Sequence, residues 1–393
     1  MKSRIFIVQI IFLLFISCIE EYTLPNNASD NYQKELVIQG RILAGDVSTV
    51  HISYTQPFGS NSGINALSDA QVTIIGQNGY QSKVGQYDEL NKQYMVDTSE
   101  LPNNTLYALK VEVGREIYQS DFLKMQTPPE IDKITYQEQE DGISLHVTTY
   151  GEDNSSPYYM WTYEEDWEFH AEIDMLRMGG IPLYNKEIYT FNNSQDNPYY
   201  YCWGHNTSKN IHIYSTKNLD TNTVKEVELL RIPIDDVRIS YIYSILVKQW
   251  TLSEKAYNYY QTMEILTENT GELFSPMPSE IIGNVKCTSN PQIKIRGYVI
   301  AAQITTKRFF IYESELESIK SEYSECKISR PPLHTMGWDI SWTYQVNKYG
   351  YLIYTQHGEI DAESILYSNT CVDCRAVEGS TKQRPYFWPN NHK

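Results

Sequence analysis

Three carboxylates and a histidine recur at every second position in one stretch of the chain, and they are the side chains best spaced for chemistry. They are Glu164, Asp166, Glu168 and His170, inside an aromatic segment that spans residues 158–170. In a β-strand, residues two positions apart project from the same face. Three carboxylates side by side repel one another unless a cation or a basic group lies between them. Carboxylate oxygens are ligands that calcium prefers.

We term Glu164, Asp166 and Glu168 the acidic row, and three interpretations of it are open. The first is a solvated outer face of the sheet, on which the carboxylates bind nothing. The second is a contact with a cation such as Ca²⁺ or with a basic partner. The third is glycoside hydrolysis, which needs a carboxylate pair with one member held protonated. Because one strand rarely supplies both members of such a pair, the sequence predicts no catalytic residue and no cofactor beyond this Ca²⁺ candidate.

The opposite face of the same segment is aromatic. On it lie Trp161, Tyr163, Trp167 and Phe169, together with Glu165. The whole chain is rich in such residues, with 33 Tyr, 11 Phe and 7 Trp. Aromatic side chains favour β-strands, and tyrosine suits half-wet surfaces because its ring packs while its hydroxyl stays hydrated. The composition therefore predicts a mainly β protein, and it leaves open a recognition surface for protein or glycan.

Charge and motifs argue against several classes of function. The chain of 393 residues has a formal net charge of −17, a balance that disfavours binding to nucleic-acid phosphates. The sequence holds no glycine-rich phosphate loop, no Gly-x-Ser-x-Gly elbow and no His-Glu-x-x-His motif. His205 and His212 are spaced neither as a metal pair nor as part of a nucleophile–base pair. We expect no nucleic-acid partner.

A segment typical of export occupies the first residues. Lys2 and Arg4 precede an apolar run over residues 5–15, and Cys18 follows shortly after it. This arrangement is typical of a secretory signal peptide over residues 1–17. A cysteine directly behind such a segment resembles the lipobox of bacterial lipoproteins, which implies lipidation of Cys18 and removal of the residues before it. The alternative is an ordinary signal peptide with a coincidental cysteine.

Residues 18–34 indicate an acidic tether. Glu20 and Glu21 closely follow Cys18, and a polar stretch rich in asparagine continues to residue 34 without apolar periodicity. Carboxylates just after a lipidated cysteine resemble the signals that send Bacteroidota lipoproteins to the cell surface. We therefore expect a lipid anchor in the outer membrane with the protein facing the cell exterior. A periplasmic position is the alternative.

Five cysteines remain after Cys18, and in an exported chain we expect disulfides among them. Since five is odd, at least one thiol stays unpaired within the chain. Cys371 and Cys374 form a Cys-x-x-Cys pair, but no second close pair completes a zinc site. We expect one bridge between Cys202 and Cys287, and a second between Cys326 and either Cys371 or Cys374.

Alternation and turn residues divide the remainder into two β-rich domains. Residues 35–126 carry short alternating strands separated by turn residues, which predicts an immunoglobulin-like or transthyretin-like sandwich. Paired prolines at positions 128 and 129 mark a hinge. Residues 131–393 are expected to form a larger β-rich domain with an insertion near residues 171–235.

One clear helix is predicted over residues 252–267. Thr251 and Glu254 have the spacing of a capping box, in which each side chain hydrogen-bonds the backbone of the other residue. Apolar residues then recur three to four positions apart up to Leu266. Gly271 is a natural stop signal beyond that point.

Four segments together resemble one known family. They are YMWTYEEDWEF at 159–169, VKQWTLSEKAYNYYQ at 247–261, LFSPMPSEIIGNVKC at 273–287 and CVDCRAVEGSTKQRPYFW at 371–388. In this order they resemble the Bacteroidota outer-membrane lipoproteins of domain-of-unknown-function family 4249. The resemblance implies an immunoglobulin-like module, a larger β-rich module and frequent association with TonB-dependent receptors of the SusC kind. It implies no catalytic residue.

The function expected from these features is that of a non-enzymatic accessory or binding subunit of an outer-membrane complex, beside a TonB-dependent barrel. Three alternatives stay open. The chain could bind glycans or peptides on its own, it could belong to the machinery that assembles surface lipoproteins, or it could be a surface hydrolase that uses the acidic row.

Overall fold

The computed structural model describes residues 33–56, 65–102, 104–172, 180–182, 197–208, 210, 212–268, 283–321, 323–326, 328–329, 351–353 and 365–389. Over these residues the chain is mainly β with one long helix, which confirms the predicted fold class. The predicted signal peptide, the lipidation candidate Cys18 and nearly all of the tether lie outside the described residues.

The elements alternate between short hairpins and a few longer strands. The strands are β1 (Leu36–Leu43), β2 (Val47–Tyr54), β3 (Gln71–Gly76), β4 (Gln86–Asp88), β5 (Gln93–Asp97), β6 (Leu106–Val113), β7 (Glu116–Ser120), β8 (Leu123–Lys124), β9 (Ile131–Gln139), β10 (Gly142–Tyr150), β11 (Tyr158–His170), β12 (Gly180–Pro182), β13 (Tyr201–Thr207), β14 (His212–Ser215), β15 (Thr223–Pro233), β16 (Ile242–Thr251), β17 (Val285–Cys287), β18 (Ile295–Arg296), β19 (Val299–Ala302), β20 (Thr305–Tyr312), β21 (Ile328–Ser329), β22 (Tyr351–Ile353) and β23 (Ile365–Tyr367). The helices are α1 (Glu254–Glu268) and α2 (Asn369–Val372).

The first β unit is a sandwich whose two sheets bury alternate residues. One sheet has the order β18-β1-β2-β5-β4, and the other has the order β17-β7-β6-β3. The period-two alternation that predicts β6 is confirmed, because Tyr107, Leu109 and Val111 are all buried in the shared core. Gly114 has a φ of 59° at the tight turn between β6 and β7, a backbone conformation that favours glycine.

Three strands of this first sandwich come from far along the chain: β17, β18 and β19. β19 pairs in parallel with β1, and β17 pairs in antiparallel fashion with β7. Val285 and Val299 lie in the same core as Ile38. Gly297 makes the close approach to β1 feasible, since a Cβ there would lie 2.0 Å from the carbonyl oxygen of Ile38. The predicted division into residues 35–126 and 131–393 did not include these later strands in the first sandwich.

The second β unit packs the sheet β13-β11-β16-β20 against the sheet β15-β10-β9. β11 lies at the centre of the larger sheet, with β16 on one side and β13 and β14 on the other. Its aromatic face forms the core, where Trp161 and Tyr243 are fully buried against Leu145 and Val147. β11 therefore presents its charged residues from the middle of a sheet.

The predicted helix is confirmed as α1, but its cap differs from the prediction. Ser253 caps the helix, because its Oγ accepts a hydrogen bond from the backbone N–H of Ala256 at 3.3 Å. Thr251 instead ends β16 and is only 1% exposed, and Glu254 forms an ion pair with Lys217. The capping box is wrong because the strand extends through Thr251. Within the described part of the chain, no helix has the length and apolar character to cross a membrane.

The position of the cap gives a testable prediction. Ser253→Ala is expected to lower the free energy of unfolding by about 1 kcal/mol, since it removes the cap of α1. Thr251→Val is expected to cause no loss, because the Thr251 hydroxyl has no hydrogen-bond partner among the described residues. Urea denaturation of both variants compares them directly. A larger loss for Thr251→Val than for Ser253→Ala would support the sequence-predicted cap instead.

Candidate functional site

Two of the three carboxylates of the acidic row lie in the interior, so the interpretation of the row as a solvated outer face is wrong. Asp166 is 6% exposed and Glu168 is fully buried, while Glu164 is partly buried. The physical reason is a cover supplied by the C-terminal segment: Trp388 packs over this face of the sheet and is itself buried. The local sequence around β11 holds no sign of that cover, because Trp388 is more than two hundred residues away.

Each carboxylate of the acidic row has its own partner within the chain. The Nζ of Lys248 donates to Glu164, and the indole Nε1 of Trp388 donates to Glu168. Asp166 makes two contacts: its Oδ2 accepts from the Nη1 of Arg308 at 3.1 Å, and its Oδ1 lies 2.9 Å from the Nδ1 of His205. Basic groups do lie beside the acidic row, as one interpretation required. They are Lys248 and Arg308, which come from other strands of the same sheet rather than from a separate molecule.

Because each carboxylate of the acidic row has a different partner, the three do not act as one group. No group of three or more His, Cys, Asp or Glu side chains in the described ranges is arranged to hold a metal ion. The geometry therefore lends no support to the Ca²⁺ interpretation. It equally lends none to a hydrolytic carboxylate pair, because the row is engaged in structural hydrogen bonds and ion pairs.

A buried charge cluster forms on the opposite face of β11 around Glu165, which the sequence placed among aromatic residues. Glu165 is 1% exposed, and its Oε1 accepts from Arg238 Nη1 at 2.7 Å and from the Tyr243 hydroxyl at 2.8 Å. Its Oε2 accepts from Asn206 Nδ2 at 2.9 Å. The carboxylate thus has a partner on each oxygen, as a buried charge requires.

The same cluster raises the pKa of the phenols beside it. Burial, followed by the negative charge of Glu165, raises the pKa of Tyr163 to about 12 and that of Tyr243 well above its usual range. Arg238 is held in place by a second carboxylate, since its Nη2 lies 2.8 Å from Asp236 Oδ2. The raised pKa values keep both phenols protonated at neutral pH, so the Tyr243 hydroxyl remains a donor to Glu165.

Two disulfides tie the C-terminal segment of the second unit to earlier parts of the chain. Cys202 of β13 bonds to Cys374, and Cys326 bonds to Cys371. The second bridge confirms the expectation that Cys326 pairs with one of the closing cysteines. The expected Cys202–Cys287 bridge is wrong, because Cys287 lies on β17 in the core of the first sandwich, where it stays reduced and buried.

Two concave sites lie where the β units meet. One, of about 240 Å³, is lined by residues of β8, of β19 and of the first turn of α1. The other, of about 370 Å³, follows the proline hinge from Lys124 to Pro129 and reaches residues 152 and 154–156 of the second unit. Pockets at such junctions are common sites for ligands.

The fold and the site define a disulfide-bonded, two-unit β protein whose best acidic cluster is structural. The chain belongs to the family described as "Domain of unknown function (DUF4249)", which matches residues 19–308. No curated protein matches the chain in sequence.

Solved structures resemble the chain only weakly. One match is trypsin-activated alpha-2-macroglobulin from Escherichia coli, at 10% identity and a TM-score of 0.19. It covers 60% of this chain and 15% of that one. A second is the structure of manganese lipoxygenase of Gaeumannomyces graminis with zonadhesin of Komagataella pastoris, at 9% identity and a TM-score of 0.17. It covers 56% of this chain and 89% of that one. TM-scores this low carry no argument about fold or function.

Proposed function

We propose that the chain is a Bacteroidota outer-membrane lipoprotein, anchored through Cys18 and facing the cell exterior. It acts there as a non-enzymatic accessory or binding subunit of an outer-membrane complex, beside a TonB-dependent receptor of the SusC kind. The observation that carries the proposal is the pair of disulfides behind a lipobox-like segment. Disulfides persist in oxidising, extracytoplasmic compartments, and the segment before Cys18 supplies a route to them.

The state of the acidic row supports binding over catalysis. A hydrolase needs a carboxyl group that can approach a substrate, with a second one placed to act on it. Here Glu168 is fully buried under Trp388, and Asp166 is occupied by Arg308 and His205. A binding role needs a stable scaffold instead, and the cross-linked sheets supply one.

The anchor is tested by removing its thiol. Cys18→Ser is expected to abolish palmitate labelling and to shift the protein from the membrane fraction to the soluble fraction. Cys287→Ser is the matched control, because it also removes an unpaired thiol but lies in the first sandwich core. The control should stay labelled and membrane-bound. An unlabelled wild-type chain, or a Cys18→Ser chain that keeps its label, would contradict the proposal.

Partnership with a barrel is tested separately. Affinity purification of the wild-type chain from detergent-solubilised outer membranes is expected to recover a TonB-dependent barrel protein. Recovery should not depend on the acidic row, so Glu164→Gln should retrieve the same partner. Repeated recovery of the chain alone would favour the stand-alone binding alternative.

A further inference from the structure

An arginine without an anion lies on the outer face of the first sandwich. Arg41 belongs to β1, whose neighbouring residue Ile42 points into the core, so the Arg41 side chain projects from the opposite face. It is half-buried, and its Cζ lies 5.7 Å from the centre of the Trp250 ring. Its guanidinium forms no ion pair or hydrogen bond with a described residue, and its nitrogens stay accessible to solvent. Among 49 acidic residues, a half-buried cation without a carboxylate is unexpected.

The groups beside Arg41 leave its charge unbalanced. Burial raises the pKa of Tyr260, on α1, to about 12, so this phenol is uncharged at neutral pH. Partial desolvation lowers the pKa of His51 on β2, and the charge of Arg41 lowers it further. Burial also lowers the pKa of Arg41, but a guanidinium stays charged in proteins. A bound anion would supply the charge that the chain does not.

The register of the sheet places two further polar groups next to Arg41. In the antiparallel pair of β1 and β2, Thr49 lies directly opposite Arg41, and His51 follows two positions later on the same face. Side chains opposite each other in this way have Cβ atoms about 5 Å apart, so their polar ends can reach one bound group. The Thr49 hydroxyl has no hydrogen-bond partner among the described residues, and it too is accessible to solvent. We term Arg41, Thr49 and His51 the donor triad.

We infer that the donor triad binds an oxyanion: a carboxylate, sulfate or phosphate group of a ligand. The planar guanidinium of Arg41 donates two parallel hydrogen bonds to it, and the Thr49 hydroxyl donates another. Met95 lies opposite Thr49 on β5 and is 40% exposed, so an apolar surface adjoins the charge. This site goes beyond the accessory role and does not depend on the lipid anchor or on a barrel partner.

Calorimetric titration of the purified full-length chain tests this inference with three simple probes. They are sodium acetate, sodium sulfate and sodium phosphate, each added at an ionic strength held constant with sodium chloride. Chloride is the reference anion, because it cannot accept two parallel hydrogen bonds on separate oxygens. We expect saturable binding of at least one oxyanion, and the tightest one identifies the chemical class of the ligand group. Absence of binding by all three would overturn the inference.

Four variants locate the site. Arg41→Gln is expected to weaken binding of the oxyanion roughly tenfold or more, and Thr49→Val severalfold. Arg41→Lys keeps the charge but loses the planar fork, so its affinity should lie between those of the wild type and Arg41→Gln. Arg115→Gln removes the same charge at the exposed turn between β6 and β7 and should bind normally.

Stability separates a binding role of Arg41 from a structural one. The unfolding midpoint of Arg41→Gln should stay close to that of the wild type, because the substitution breaks no ion pair. Thr49→Val decides the test if Arg41→Gln does not fold. Unchanged affinity in Arg41→Gln and Thr49→Val, or an equal loss of affinity in Arg115→Gln, would overturn the inference.

Discussion

Arg238→Met is expected to lower the free energy of unfolding by about 3 to 5 kcal/mol, one of the largest losses available from a single side chain in this protein. The variant leaves the buried Glu165 carboxylate with no cation beside it, because Arg238 Nη1 at 2.7 Å is its basic partner. Tyr243 and Asn206 still donate to the carboxylate, but they do not carry charge. Urea denaturation followed by circular dichroism measures the loss.

A matched arginine variant separates burial from charge. Arg231 is half-exposed and lies 3.8 Å from Asp141 and 3.7 Å from Glu228. Exposed pairs contribute about 0 to 1 kcal/mol, so Arg231→Met should be nearly neutral. Adding Glu165→Gln to Arg238→Met removes the uncompensated charge and should restore part of the stability. Equal losses for the two arginine variants would refute the buried-charge explanation.

Removal of the Cys202–Cys374 disulfide is the second large effect, expected to lower stability by about 4 to 5 kcal/mol. The bridge joins residues 172 positions apart, so it restricts the unfolded chain strongly. The Cys326–Cys371 bridge closes a loop of 45 positions and should contribute about 4 kcal/mol. Double-alanine variants of each pair, compared by urea denaturation, test this order.

Cys287→Ser serves as the control for both bridges. It removes a buried thiol but no cross-link, so a loss of about 1 kcal/mol is expected. A Cys202–Cys374 double variant as stable as this control would show that the bridge contributes nothing to the free energy of unfolding.

The local sequence pattern was sufficient to predict individual strands and the helix, but it was insufficient to predict how they pair. β6 and α1 follow from side-chain spacing alone, since Leu109 and Val111 alternate on a strand and Ala256 starts an amphipathic helix. The return of β17 and β19 to the first sandwich could not be predicted in this way. Val285 and Val299 show only that their strands have a buried face. The neighbouring sequence does not specify that β17 pairs with β7 or that β19 pairs with β1.

The site shows the same limit more sharply. Spacing correctly put Glu164, Asp166 and Glu168 on one face of a strand, but burial depends on Trp388, and ion pairing depends on Arg308. The local sequence of a carboxylate row is the same whether the row faces water or is covered by a segment far away in the chain. The buried ion pair of Glu165 was not predicted, although the sequence held a sign of it. A charged residue among aromatic core positions requires a buried partner, and that partner is Arg238.

Native mass spectrometry of the protein released from its own outer membrane tests the central proposal most directly. The proposal predicts a chain that begins at Cys18, carries the mass of acyl groups and is bound to a barrel protein. A chain that retains residues 1–17 would contradict the proposal. So would a chain that begins at Cys18 but carries no lipid and is detected without a barrel protein.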